Sequence, residues 1–129
     1  MNAARAAYLD ISRTGLVEGR NAHELTLMLF DGALARMSTA RELHAHEQRD
    51  ERHRLIDRAL AIVQELQASL REPERDPIAQ QLFVLYTHIC ERLLEADQDG
   101  ENAPLDAAQA LLATLRDGWA GIAPQARAA

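Results

Sequence analysis

The chain has 129 residues, 47% of them apolar, and a net charge of −6, which suits one domain that buries its own core without staples. Acidic and basic residues alternate with no basic stripe, which argues against nucleic acid because neutralising phosphates takes clustered cations. No stretch approaches the roughly 18 apolar residues of a membrane span, and the lone Cys90 excludes a disulfide scaffold and suits a cytosolic address.

The N-terminus, Met-Asn-Ala-Ala-Arg-Ala-Ala-Tyr, lacks the apolar block of a secretory signal. All 14 basic residues are Arg, which we read as coding bias toward Arg and Ala. Aromatic content is 4%, and Ala, Leu, Arg, Glu and Gln dominate. These are strong helix formers, so the fold class is all-α.

Residues 1–20 read as an N-terminal arm, with a short helix from Met1 to about Ser12 that packs on the domain. Thr14-Gly15 and Gly19 form a hinge after it. The first long helix is expected over 22–45, with Asn21 as N-cap and Glu24 completing a capping box. Its stretch "ELTLMLFDGALARM", Glu24 to Met37, invites a second reading, because Asp31-Gly32 is a favoured hairpin dipeptide. A hairpin needs a second alternating strand, and the residues after Gly32 are helix formers with almost no β-branching. The stretch is therefore helical, with Gly32 inside it at about 1 kcal/mol relative to Ala.

That helix carries more apolar surface than one interior takes. Leu25, Met28, Leu29, Ala33, Ala40 and Leu43 form a core stripe, and Leu27, Phe30 and Leu34 form a second one. Either the helix is wedged between two neighbours, or the second stripe is a groove for a partner or for the chain's own arm.

A second helix is expected over 51–71, after the polar connection His46 to Asp50. Leu55, Ile56, Ala59, Leu60, Ile62, Val63, Leu66 and Leu70 share one arc of it. The third, over 77–97, has Asp76 as N-cap and Pro77 in its first turn. Its centre line is Ile78, Leu82, Leu85, Ile89, Leu93 and Ala96, flanked by Phe83, Tyr86, Cys90 and Leu94. The fourth, over 104–121, presents Leu105, Ala108, Leu111, Leu112, Leu115, Trp119 and Ile122 to one side, and Gly121 and Pro124 end it. Short connections make neighbours antiparallel, so residues 21–123 read as an up-down four-helix bundle with a tail at 124–129.

Chemistry-bearing groups are sparse. A di-iron bundle needs Glu-x-x-His, and none occurs in this sequence. His44, His46, Glu47, Asp50 and His53 cluster at the first connection, where a surface metal is conceivable and a solvated polar turn is the simpler reading. Cys90 reads as an inert core thiol and Trp119 as packing. No cofactor is expected.

Several segments resemble one family. "ELTLMLFDGA", Glu24 to Ala33, is similar to the "LxLMLYDGA" signature of flagellar secretion chaperones of the FliS family, with Phe30 in place of the Tyr. Ile62 to Leu70, "IVQELQASL", resembles that family's "IIxELxxSL". Leu85 to Ala96, "LYTHICERLLEA", resembles "LYxYMxRRLxEAN", and Leu115 to Ile122, "LRDGWAGI", resembles "LRDAWxxI". Ala7-Tyr8, with Val17 after it, resembles an N-terminal "AY" motif. The segments fall in the family's order.

The resemblance implies a cytoplasmic, non-enzymatic four-helix bundle. Such a chaperone binds the disordered C-terminal segment of flagellin, keeps it from polymerising and hands it to the flagellar export gate. It implies client contacts at Tyr8, Leu16 and Val17 on the arm, at Leu27, Phe30 and Leu34 on the first helix, and at Trp119 and Ile122 on the fourth. It implies neither nucleic acid nor membrane insertion, and a client-free bundle with an open groove can pair with a second copy. The alternative is a bundle-type interaction or regulatory module for another client, such as a histidine-phosphotransfer domain with His88 as its acceptor.

Overall fold

Four helices follow one another in the computed structural model, which describes residues 19–122, with side chains from residue 22 onward. They are α1 (Gly19–Glu42), α2 (Arg49–Ala68), α3 (Pro77–Asp99) and α4 (Ala103–Ala120). Each helix packs on its neighbours in the chain, α4 closes the ring against α1, and the diagonal pairs make no close backbone approach. That is the up-down bundle that short connections require. Of the expected arm, residues 1–18 lie outside the described residues, as does the tail, whereas Gly19, expected in a hinge, and Arg20 open α1.

The helix ends follow local chemistry. Asp76 Oδ1 accepts hydrogen bonds from the backbone N–H of Ile78 at 2.9 Å and of Ala79 at 3.5 Å, with Pro77 opening α3. This is the N-cap read from the sequence. Gly100 closes α3 in the left-handed region at φ 70°, its N–H returning to the Ala96 carbonyl, a conformation that favours glycine. Asn21 is not an N-cap: α1 already begins at Gly19, since nothing in Gly19-Arg20-Asn21 prevents one more turn. At its other end α1 stops at Glu42 rather than Ala45. There His44 to Gln48 form their own turn, with the His44 N–H donating to Gln48 Oε1 at 3.0 Å and the Gln48 N–H donating to the His44 carbonyl at 2.9 Å.

Two expected faces need correction. In α1, Phe30 belongs to the core at 2% exposure, with Ala33, Met37 and Ala40, whereas Met28 points outward at 58%. The cause is that α1 touches both α2 and α4, so its buried arc is centred between the two expected stripes. Leu27 and Leu34 are half-buried on the flank that carries Asp31, Ser38 and Arg41, which reach across to α4. The wedged-helix reading is therefore the right one for Phe30.

In α3 the buried line is Ala79, Tyr86, Ile89, Leu93 and Ala96, and two residues expected at its centre, Ile78 and Leu85, are exposed. The helix is rotated so that the larger Tyr86 fills the interior. Gly32 sits within α1, and a Cβ there would meet Arg36 Nη1 at 3.4 Å and Ile62 Cδ1 at 3.7 Å. These are ordinary contacts, so no close backbone approach requires the glycine.

Candidate functional site

Rotation of α3 toward Tyr86 leaves an apolar surplus outside. The run Leu82-Phe83-Val84-Leu85-Tyr86 covers more of the helix than one buried arc accepts. Ile78 (69% exposed), Val84 (61%), Phe83, Leu85 and Leu94 remain on the surface.

Polar contacts fix how this surface is divided. On the α2 side, Gln67 Nε2 donates to the Phe83 carbonyl at 2.9 Å and to Thr87 Oγ1 at 2.7 Å, and His53 Nδ1 lies 2.8 Å from Asp97 Oδ2. Helical spacing puts Phe83, Cys90 and Leu94 on that flank and Ile78 and Leu85 on the flank toward α4. There Leu82, Leu111 and Leu115 pack half-buried against the core. The outer side of α3 is thus apolar along both of its seams.

The opposite seam, between α1 and α4, is polar. Arg116 Nε donates to Asp31 Oδ1 at 2.9 Å, Gln109 Nε2 to Ser38 Oγ at 2.6 Å and Arg41 Nε to Asp106 Oδ1 at 2.6 Å. Each pair is exposed and contributes little singly, but together they set the register of α1 on α4. At the end of this seam His23 and Trp119 clasp each other. Trp119 Nε1 donates to the His23 carbonyl at 3.0 Å, His23 Nε2 lies 2.9 Å from the Trp119 carbonyl, and the rings stack with centroids 5.1 Å apart. A carbonyl accepts only, so Nε2 carries the proton. His23 is buried at 5% exposure, and this partnership, 96 residues apart in sequence, satisfies its Nε2.

Two groups, the buried Tyr86 and the half-buried Cys90, are shifted by their surroundings. Burial pushes the Cys90 thiol up to about 11, helped by the neighbouring Glu91 carboxylate. Burial alone pushes the Tyr86 phenol up to about 12. Such a thiol is protonated and unreactive at neutral pH.

Of the residues expected at the client site, those described lie on α1, on α4 and just beyond it. Tyr8, Leu16 and Val17 lie outside the described residues. Phe30 is core, Leu27 and Leu34 flank the α1–α4 seam, Trp119 is held in its clasp, and Ile122 is half-buried just beyond α4. The exposed apolar residues of α3 were not expected at the client site: Ile78 and Leu85 read as its buried centre line and Phe83 and Leu94 as flanks of that line. The signal for them was the same surplus argument made for α1, and it applied more strongly to residues 82–86. Among the described residues, no three or more His, Cys, Asp or Glu side chains gather as metal ligands. His88 is exposed, with Glu91 Oε1 4.0 Å from its Nδ1.

A family model described as flagellar protein FliS matches residues 3–126. The chain belongs to the FliS family. Its relatives include the flagellar secretion chaperone FliSB of Pseudomonas aeruginosa, 33% identical over 119 residues, 92% of this chain and 94% of that protein. The flagellar secretion chaperones FliS of Escherichia coli and Salmonella typhimurium are 27% and 28% identical, covering 88% and 93% of this chain and 84% and 90% of theirs. The family places the chain among flagellar secretion chaperones. No helix among the described residues is long and apolar enough to cross a membrane.

Proposed function

We propose that this FliS-family chain is a cytoplasmic, non-enzymatic export chaperone for flagellin. It holds the disordered C-terminal segment of flagellin, prevents premature polymerisation and delivers the subunit to the flagellar export gate. The observation that carries this reading is the pair of apolar flanks left exposed on α3, Phe83 and Leu94 on one and Ile78 and Leu85 on the other with Val84 between them, on a bundle whose core is already filled. A disordered amphipathic segment that becomes helical on such a surface inserts its apolar residues along the two seams and leaves its polar face to water.

In this reading the arm, with Tyr8, Leu16 and Val17, shares in holding the client, and Leu27, Leu34, Trp119 and Ile122 offer it a second contact along the α1–α4 seam. Phe30 acts from the core by setting the position of α1. A client-free bundle can use the same apolar side to pair with a second copy.

Filament growth tests the proposal. Monomeric flagellin elongates on filament seeds, and an equimolar amount of this chain should stop elongation while leaving existing filaments intact. Unchanged elongation at saturating chaperone refutes it.

A further inference from the structure

The two parts of α3 are held very differently. From residue 86 onward, Tyr86, Ile89, Leu93 and Ala96 all enter the shared core. Residues 77–85 place only the half-buried Leu82 against that core. Ala79 is buried but lies outside the core cluster, and Ile78, Phe83, Val84 and Leu85 are exposed. Buried apolar area is what resists local opening. About two and a half turns of helix therefore rest on little more than one leucine.

Polar contacts add little to this hold. Asp76 caps the stretch from the connection just before it. Among the described residues, the side-chain hydrogen bonds that reach it from another helix come from Gln67 of α2, whose Nε2 donates to the Phe83 carbonyl and to Thr87 Oγ1. Thr87 Oγ1 in turn donates to the Phe83 carbonyl at 3.0 Å, so two side chains draw on that carbonyl. A threonine bonding back four residues loosens and bends a helix at that point. The loosened turn, 83–87, contains Tyr86, the first large side chain of α3 to be fully enclosed. Ahead of the stretch, Glu72 holds φ at 45°, in the left-handed region that a side chain disfavours. That strain is relieved when the connection is freed, which favours opening.

We infer that residues 77–85 form a flap, hinged at 83–87 and latched by Gln67, that opens and closes as a unit while the rest of the bundle stays folded. A second step rests on the function proposed above: the client closes the flap. Phe83, Val84 and Leu85 belong to it, and a client seated on them supplies the apolar contact that the flap lacks. Client and flap then become ordered together.

Native-state hydrogen exchange of the full chain at several low urea concentrations tests the flap. Amides 81–85 should be about a hundredfold less protected than amides 89–96, share one opening equilibrium and respond weakly to urea, since a local opening exposes little surface. Gln67→Ala should speed exchange at 81–85 about fivefold, the worth of one hydrogen bond, with 89–96 and the melting temperature unchanged. Equal protection of the two sets, an equally steep urea response, or protection that climbs residue by residue from 81 (ordinary end fraying) overturns the flap. Unaltered exchange in Gln67→Ala overturns the latch. A peptide with the flagellin C-terminal sequence, at saturation by calorimetry, should slow exchange at 81–85 about tenfold or more. Saturable binding with unaltered exchange there overturns the closure step and leaves the chaperone reading standing. Absence of binding overturns the chaperone reading and the closure step, and the flap is then judged on the client-free exchange.

Discussion

Arg52→Met keeps most of the stem volume and removes the guanidinium from the place where α2, the end of α3 and the α3–α4 connection meet. That buried guanidinium donates to the Ala96 and Glu101 carbonyls and to Asn102 Oδ1, and the loss is smaller than three charged hydrogen bonds. The Ala96 carbonyl also accepts from the Gly100 N–H at 3.0 Å, so it stays partnered. Glu101 is exposed and Asn102 half-exposed, so water can partly replace Arg52 at both. What remains is one to two imperfectly replaced charged bonds, each about 1.5–3 kcal/mol, partly offset by no longer burying a cation.

We expect a net destabilisation of about 2–4 kcal/mol. With an unfolding entropy near 2.1 cal/mol/K per residue, that lowers the melting temperature by roughly 10 °C. Arg52→Lys keeps the charge but not the fork, and should fall between the two. Urea unfolding with a common m-value is the assay. If Arg52→Met unfolds within 0.5 kcal/mol of wild type or later (about the scatter expected of neutral surface changes), then the burial cost cancels the bonds and Arg52 is not a staple.

Gly32→Ala should stabilise the chain by about 0.5–1 kcal/mol, because the Cβ fits and helix propensity improves; calorimetry showing a lower melting temperature contradicts this. Trp119→Phe removes the donor to the His23 carbonyl and should lose about 1–2 kcal/mol, most visibly as faster hydrogen exchange at the start of α1 and the end of α4. Cys90 and Tyr86 have folded pKa values raised from 9.0 to about 11 and from 10.0 to about 12. Their neutral forms therefore favour the fold, and that contribution is complete below pH 9 and is lost as pH rises through 11 to 12. The urea midpoint should fall across this range, and Cys90→Ala/Tyr86→Phe should flatten the fall; an equal slope in the double variant refutes the assignment. Val84→Asp and Leu94→Asp should weaken client binding about tenfold or more with melting temperature nearly unchanged, since both side chains are already exposed.

The bundle was legible because its signals are local. Asp76-Pro77 announces the start of α3, and Gly100 its end. The helix formers after Asp31-Gly32 leave a hairpin without a second strand. The phase of each helix was less legible, because it depends on two neighbours at once. Phe30 and Met28 exchanged places, as did Tyr86 and Leu85, since an apolar run such as Leu-Phe-Val-Leu-Tyr fixes no single inward direction.

Long-range polar partnerships left no trace in the sequence. Arg52 reads as a surface residue because arginine seldom buries without a carboxylate, and its partners here are two carbonyls and an amide far along the chain. His23 and Trp119 meet only once α4 returns to α1. The candidate site suffered most: surplus apolar surface was recognised on α1, where two neighbours cover it, and not on α3, where part of it stays exposed.

Binding of flagellin by this chain is the central claim, and calorimetric titration with full-length flagellin and with flagellin lacking its C-terminal segment tests it most directly. The account predicts one-to-one binding of the full-length protein and none of the truncated form. Equal binding of both forms, or binding of neither, contradicts it.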